Sequence, residues 1–213
     1  MISVMMCDDQ IMFLDLISEY LNNYADFNIV KSASSGEDCL DLIKNGIVPD
    51  ILILDISMPP GMPGYLVAKH LQKNYPSIKI IALSMLTDSN AVKAMIRYGA
   101  KGFLFKESKP CEIVRVIKLV NQGAEYYPKC LNLSPNEILV LKNTTIDWLE
   151  NITRTESVAA RLIAKDLSIN QVADEMNMSV SVVNKKIKRL FLRTNTNTRT
   201  GLLYFLRKVG ILE

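Results

Sequence analysis

Short apolar segments alternate with helical segments along the first 123 residues, and this alternation limits the possible folds more than any other feature of the chain. The apolar segments are residues 2–7, 27–33, 51–54, 78–83 and 102–105, and apolar residues at helical spacing follow each of them. Segments that are apolar on both faces are typical of parallel strands that helices cover on both sides. The sequence therefore predicts five β-α units in one α/β domain.

The pattern changes after Gly123, where only helical signals follow. Three segments open with a capping box, in which a hydroxyl side chain caps the helix and a Glu or Gln three residues later reaches back to it. These boxes run from Ser134 to Glu137, from Thr153 to Glu156 and from Ser168 to Gln171. We expect residues 124–151 to form a linker with a helical segment and residues 152–213 to form an all-α domain.

Composition excludes several classes of protein. The 213 residues are 49% hydrophobic and 22% charged, which is ordinary for a globular chain. The four cysteines form no C-x-x-C pair and His70 is the only histidine, so a zinc site or a disulfide scaffold is not expected. No apolar run has the roughly 18 residues that a membrane span needs, and the start of the chain has no basic leader. We expect a cytoplasmic protein with reduced cysteines and no membrane partner.

Charged and polar residues follow four of the five predicted strands. Asp8 and Asp9 follow the first, Asp55 the third, Ser84 the fourth and Lys106 the fifth. Each residue alone is more typical of a turn or of solvated surface, but ligands of open parallel sheets bind at this edge. Clustered carboxylates repel one another unless a cation lies among them, and Mg²⁺ prefers such hard oxygen ligands. An Asp beside Mg²⁺ and a Lys is able to attack a phosphoryl group.

These residues carry a resemblance to a known family. Asp8-Asp9, residues 51–59, residues 82–84 and residues 101–106 resemble the signature of two-component response-regulator receiver domains. The resemblance covers residues 1–123 and implies a five-stranded, parallel, doubly wound (flavodoxin-like) fold. One difference is the loop at residues 58–64, which is one residue longer and richer in proline than the family pattern and therefore stiffer.

The resemblance also implies roles for individual residues. Asp55 would accept a phosphoryl group from a sensor histidine kinase. Asp8, Asp9 and Asp55 would hold Mg²⁺ together with the backbone carbonyl of Ser57. Lys106 would pair with the phosphoryl group. Ser84 and Phe103 would form the switch pair, the two residues that transmit the effect of Asp55 phosphorylation.

The C-terminal region carries the basic surplus of the chain. Residues 152–213 hold 11 basic and 5 acidic residues, whereas residues 1–123 hold 12 and 13. Residues 168–175 predict a short capped helix, residues 176–178 a tight turn, and residues 179–192 a second helix. This is the helix-turn-helix pattern, in which the second helix enters the major groove of DNA.

The second of these helices has one apolar and one basic face. Val183, Ile187 and Leu190 recur at helical spacing and must face the core. The residues that we expect on the opposite face and beside it, as candidate DNA contacts, are Ser181, Asn184, Lys185, Lys188 and Arg189. A plain solvated surface is the alternative for the charged residues alone.

The same region resembles the LuxR-type (NarL/FixJ-like) DNA-binding domain at residues 152–156, 161–164, 167–173 and 198–200. The resemblance implies that Asn184, Lys185 and Lys188 read bases, and that the last helix, near residues 199–209, forms a homodimer contact. The chain departs from the family at residues 182–184 and 194–196, so no operator sequence follows from the resemblance.

We therefore interpret the chain as a response regulator, not a turnover enzyme, in which phosphorylation of Asp55 controls dimerisation and access to double-stranded DNA in transcription regulation. RNA polymerase is a further candidate partner. One alternative is a Mg²⁺-dependent phosphotransferase or phosphatase with Asp55 as nucleophile, but Ser57 stands where such an enzyme needs an acid. The other is a receiver whose helical domain binds protein, which the basic helix face disfavours.

Overall fold

The structure is a computed structural model that describes residues 1–59, 61–85, 89–144, 152–208 and 212. Its contacts divide the chain into two compact units, Met1–Thr144 and Thr145–Glu213. Each unit has its own core. Within the described part of the chain, no helix has both the length and the apolar character required to cross a bilayer.

The first unit is a five-stranded parallel sheet with helices between the strands. Its elements are β1 (Ile2–Cys7), α1 (Ile11–Asn22), β2 (Phe27–Ala33), α2 (Gly36–Lys44), β3 (Ile51–Asp55), α3 (Gly64–Asn74), β4 (Lys79–Ser84), α4 (Ser89–Arg97), β5 (Gly102–Phe105) and α5 (Pro110–Asn121). The strand order is β2-β1-β3-β4-β5, and every pair is parallel. The predicted α/β fold is confirmed.

The burial of the strands explains why the sheet forms. All five residues of β3 are buried, and so are the last four of β1, because helices cover both faces of the sheet. One apolar core joins β1 and β3 to α1 and α5 through residues such as Val4, Ile53, Leu14 and Ile117. The polar ends of these central strands are consequently fixed in position by the most buried part of the unit.

The linker begins on the first unit. The Tyr126 backbone forms a parallel bridge with Gly102, which extends the sheet beyond β5. A turn of 3-10 helix at Lys129–Leu131 leads to α6 (Pro135–Asn143), whose capping box between Ser134 and Glu137 is formed as expected. The rest of the predicted helical segment, residues 145–151, lies outside the described residues.

The second unit is helical in its described part, as predicted. It contains α7 (Arg154–Ala164), α8 (Ile169–Glu175), α9 (Val180–Thr194) and α10 (Arg199–Lys208). The capping boxes at Thr153 and Ser168 are formed, and the Ser179 hydroxyl caps α9. Between α8 and α9, Asn177 has φ 49° and Met178 N–H donates to the carbonyl of Ala173 at 2.9 Å, which makes the turn tight.

A partly buried ion pair connects α7 to α9. The Glu156 carboxylate is only 1% exposed, completes the capping box with Thr153 and pairs with the Arg193 guanidinium near the end of α9. Lys186 on α9 donates to the Thr155 hydroxyl at 2.8 Å. These polar contacts, together with the buried Val183, set the rotation of α9 and therefore the face that it turns to solvent.

We predict that Glu156→Ala lowers the free energy of unfolding by about 3 kcal/mol, because it removes a helix cap and leaves the Arg193 charge without its partner. The matched control is Glu137→Ala, which removes the same capping-box residue from an exposed helix end and should cost about 1 kcal/mol or less. Urea denaturation followed by circular dichroism measures both values. Equal losses in the two variants would contradict the stabilising role of the ion pair.

Candidate functional site

Three carboxylates meet at the carboxyl edge of the sheet. Asp8 and Asp9 directly follow β1 and Asp55 ends β3; the two strands are paired with Cys7 opposite Leu54. Each of the three residues has a carboxylate oxygen within 4.8 Å of those of the other two. Asp8 and Asp55 are 1% and 3% exposed, whereas Asp9 is half-buried. The expected convergence of these residues is therefore observed.

Lys106 lies among these acids. It directly follows β5, and its Nζ is 2.9 Å from Asp8 Oδ1 and 3.1 Å from Asp55 Oδ2. The ring of Phe13 on α1 covers the ammonium group, with 5.5 Å from Nζ to the ring centroid. No pattern in the sequence places Phe13 in the site, because only the packing of α1 against the sheet brings this ring over Lys106.

The charges of this cluster do not balance. The pKa of Asp55 is raised to about 7, because burial and the charge of Asp8 raise it by more than attraction to Lys106 lowers it. Burial lowers the pKa of Lys106, but attraction to Asp55 and Asp8 outweighs burial, so its pKa lies above the ordinary value. Lys106 thus pairs with two of the three carboxyl groups, those of Asp8 and Asp55, and an additional cation would stabilise the ionised forms of all three.

The donor atoms fit a hard divalent cation. The two carboxylate oxygens of Asp8 are buried, at 2.9 Å (Oδ1) and 2.8 Å (Oδ2) from Lys106 Nζ. Asp9 and Asp55 offer further carboxylate oxygens, and the Ser57 carbonyl follows in the loop after β3. Carboxylates and carbonyl oxygens are the ligands that Mg²⁺ prefers. The roles of these residues as metal ligands remain predictions.

The two proposed switch residues lie on neighbouring strands. Ser84 ends β4, is 1% exposed, and its carbonyl accepts a hydrogen bond from the Lys106 N–H at 2.9 Å. Phe103 on β5 is fully buried, with its ring edge-on to Phe105 at a centroid distance of 5.5 Å. The Phe103 N–H donates to the carbonyl of Tyr126 in the linker. Tyr126 could not be found from the sequence, because a single bridge leaves no periodic pattern.

The loop between β3 and α3 is held tightly against the site. Its Pro60 lies outside the described residues, but Met62 N–H donates to Glu37 Oε2 at 2.8 Å and Gly64 N–H donates to the carbonyl of Ile56 at 2.9 Å. A Cβ atom at Gly64 would lie 2.0 Å from the Asp55 carbonyl oxygen. Only glycine allows α3 to begin this close to Asp55.

Comparison with known proteins identifies the first unit. The family described as the response regulator receiver domain matches residues 4–118, which is more than half of the chain. The chain belongs to this family. The oxygen regulatory protein NreC of Staphylococcus epidermidis is 27% identical to it over 216 aligned residues, and that of Staphylococcus carnosus is 26% identical over 215; each alignment covers 99% of both chains.

Solved structures share the fold over the full length. One structure of the RcsB response regulator of Salmonella typhimurium has a TM-score of 0.63 and 20% identity, with 98% of both chains covered. Another, of RcsB bound to the promoter rprA in the presence of a phosphomimetic, has a TM-score of 0.60 and 20% identity, with 97% of this chain and 98% of that chain covered. The receiver is thus followed by a helical unit of the same fold as in RcsB.

The helical unit displays the expected basic face. The five candidate DNA contacts on α9, Ser181, Asn184, Lys185, Lys188 and Arg189, are all exposed. Val183, Ile187 and Leu190 are buried, as predicted. Three exposed apolar residues flank the basic ones: Val180, Val182 and Leu192.

The last helix, α10, has both buried and exposed apolar residues. Leu202 and Leu206 are buried and Tyr204 is 65% exposed, so burial within the unit accounts for only part of the apolar surface of α10.

We predict that Gly64→Ala weakens Mg²⁺ binding in a calorimetric titration, because the added methyl group must displace the Asp55 backbone, and that it costs about 2 kcal/mol of receiver stability. Gly46→Ala is the control. Its φ of +96° makes alanine unfavourable by about 1 kcal/mol, but nothing lies within 4 Å of the added atom. An unchanged Mg²⁺ affinity in Gly64→Ala would contradict the assignment.

Proposed function

We propose that this protein is a two-component response regulator that a sensor histidine kinase phosphorylates on Asp55, and that it binds double-stranded DNA to regulate transcription. The observation that carries the proposal is the convergence of three carboxylates and Lys106 at the edge of a receiver sheet. We place this protein in the cytoplasm, together with the kinase domain and the DNA. RNA polymerase is the partner through which a bound regulator would change transcription.

Phosphoryl transfer to Asp55 requires little covalent chemistry from the chain. An Asp55 oxygen forms a bond to phosphorus while the bond from phosphorus to the imidazole nitrogen of the donor breaks, and the imidazole takes up a proton. Mg²⁺ held by Asp8, Asp9, Asp55 and the Ser57 carbonyl would neutralise charge on the phosphoryl oxygens. Lys106 would move from its ion pair with Asp55 to the phosphoryl group, and the Ser84 hydroxyl would donate a hydrogen bond to it.

The site suits a regulator better than a turnover enzyme. A phosphatase or phosphotransferase of this kind needs an acid that protonates the leaving group, and the position two residues after Asp55 holds the hydroxyl of Ser57. The relatives that match over the full chain carry the name of a regulatory protein. Phosphorylated Asp55 would therefore act as a stored signal that hydrolyses slowly.

The basic face of α9 is the proposed DNA-reading surface. Lys185 and Lys188 project from the side opposite the buried residues, with Asn184 and Arg189 at the margins. Asn and Lys side chains pair with purine edges in the major groove, and Arg binds phosphates. The α10 helix, with its exposed Tyr204, is the proposed homodimer contact, which would place two copies of α9 on half-sites about one helical turn apart.

We predict that acetyl phosphate and Mg²⁺ add one phosphoryl group to the intact protein and none to Asp55→Asn, because the proposal makes Asp55 the nucleophile and gives Asp8 and Asp9 to the metal ion. The control variant is Asp26→Asn, which removes an exposed carboxylate paired with Lys118 and should be phosphorylated normally. Intact-protein mass spectrometry measures the product. Equal phosphorylation of Asp55→Asn would refute the phosphoacceptor assignment.

We predict that the double variant Lys185→Ala/Lys188→Ala loses sequence-specific retention of genomic DNA fragments. Because each lysine that contacts a phosphate contributes to counterion release, the slope of log affinity against log salt should fall by up to about 2. The control is Arg154→Ala/Lys165→Ala, which removes the same charge from exposed positions outside α9 and α10.

Filter binding at several salt concentrations distinguishes the outcomes. Retention by the α9 variant equal to that of the control would contradict the recognition-helix assignment. If the wild-type protein also retained no DNA, a helical unit that binds protein would be the better interpretation.

A further inference from the structure

The linker is hydrogen-bonded to the strand that carries the switch residue. Tyr126 N–H donates to the carbonyl of Lys101 at 2.9 Å, and Phe103 N–H donates to the carbonyl of Tyr126 at 2.8 Å. The Tyr126 hydroxyl donates to Glu112 on α5 at 2.5 Å, and the Arg115 guanidinium lies 4.8 Å from the ring centroid. The backbone of Tyr126 therefore moves with β5 at Phe103.

The next two contacts connect the linker to α4 and to the turn that follows it. The Tyr127 hydroxyl donates to the carbonyl of Ala100 at 2.7 Å, just beyond α4. Arg97 lies in the last turn of α4, and its Nη1 donates at 3.0 Å to the carbonyl of Lys142, near the end of α6. Such a carbonyl at a helix C-terminus has no partner within its own helix, so Arg97 serves as its cap.

Charged side chains reinforce the attachment of α6. Lys142 Nζ lies 2.6 Å and 2.8 Å from the two carboxylate oxygens of Glu125, and Glu125 also pairs with Lys101 at 3.1 Å. These pairs lower the pKa of Glu125 although burial raises it. The contacts are polar and partly exposed, so each is weak individually.

The α6 helix is the least buried helix among those of the first unit. None of its residues is buried, and Leu139 and Val140 on its outer side are 60% and 61% exposed. A helix of nine residues is not stable without tertiary contacts. Elements with few buried contacts lie at the low end of local stability, so α6 depends on its contacts with α4 and the preceding linker.

We propose that α6 is a phosphorylation-sensitive latch, docked on α4 while Asp55 is free and released when Asp55 is phosphorylated. The inference rests on the proposed function. A phosphoryl group on Asp55 would attract the Ser84 hydroxyl, at the end of β4 before α4, and the Lys106 ammonium, at the end of β5. The segment between these residues carries Arg97, Ala100, Lys101 and Phe103, which are the residues that hold the linker.

Hydrogen exchange followed by mass spectrometry of the full chain tests the latch, with Mg²⁺ present and with beryllofluoride as the phosphoryl mimic. Coupling between two sites of one protein ranges from roughly fivefold to 150-fold. We therefore expect the amides of α6 to exchange at least about fivefold faster with beryllofluoride, while those of β3 stay protected. Unchanged or slower exchange in α6 would overturn the proposal.

Two variants test the contacts themselves. Arg97→Ala should bring α6 exchange without beryllofluoride up to the level seen with it, and Tyr127→Phe should produce a smaller increase because it removes one hydroxyl only. The control is Lys73→Ala, which removes an exposed cation from the last turn of α3. Because coupling is reciprocal, Arg97→Ala should also tighten beryllofluoride binding several-fold. An unchanged affinity together with unchanged exchange would refute the role of Arg97.

The same samples separate the latch from the function on which it rests. Phosphorylation by acetyl phosphate is measured on each variant by intact mass. A wild-type chain that becomes phosphorylated while α6 exchange stays constant refutes the latch alone. A chain that neither becomes phosphorylated nor binds beryllofluoride refutes the proposed function, and the latch with it.

Discussion

The charge imbalance at the edge of the sheet is the constraint on which the rest of the structure depends. Asp8 and Asp55 are almost fully buried beside Asp9, and Lys106 supplies one positive charge among them. A protein interior tolerates such a group only when cations and hydrogen bonds compensate it. In the proposed function a divalent cation supplies this compensation, and Lys106 exchanges Asp55 for the phosphoryl group as its partner.

The strand-end residues could be predicted from the sequence because topology alone brings them together. Consecutive β-α units place every strand's carboxyl end at one edge, so Asp8, Asp55 and Lys106 are expected at the same edge once the five strands are recognised. The buried and basic faces of α9 could be predicted for a similar reason, since helical spacing separates Val183 from Lys185.

Other contacts depend on packing between distant segments, which no local pattern encodes. Phe13 covers Lys106 only because α1 packs against the sheet, and Tyr126 extends the sheet through a single bridge to Gly102. Docking of α6 on α4 likewise depends on Arg97 and Lys142, whose spacing of 45 residues gives no signal in the sequence. Residues 124–144 of the predicted linker therefore belong to the receiver unit by their contacts, although their sequence predicts only a connector with a helix.

The most direct test of this account is the location of a bound divalent cation. Mn²⁺ is a paramagnetic substitute for Mg²⁺ that broadens the amide NMR signals of nearby residues. The account predicts that substoichiometric Mn²⁺ broadens the signals of residues 8–10 and 55–57 in the full chain, and that Asp9→Asn removes the effect. Broadening centred instead on the acidic residues of α2, Glu37, Asp38 and Asp41, would contradict it.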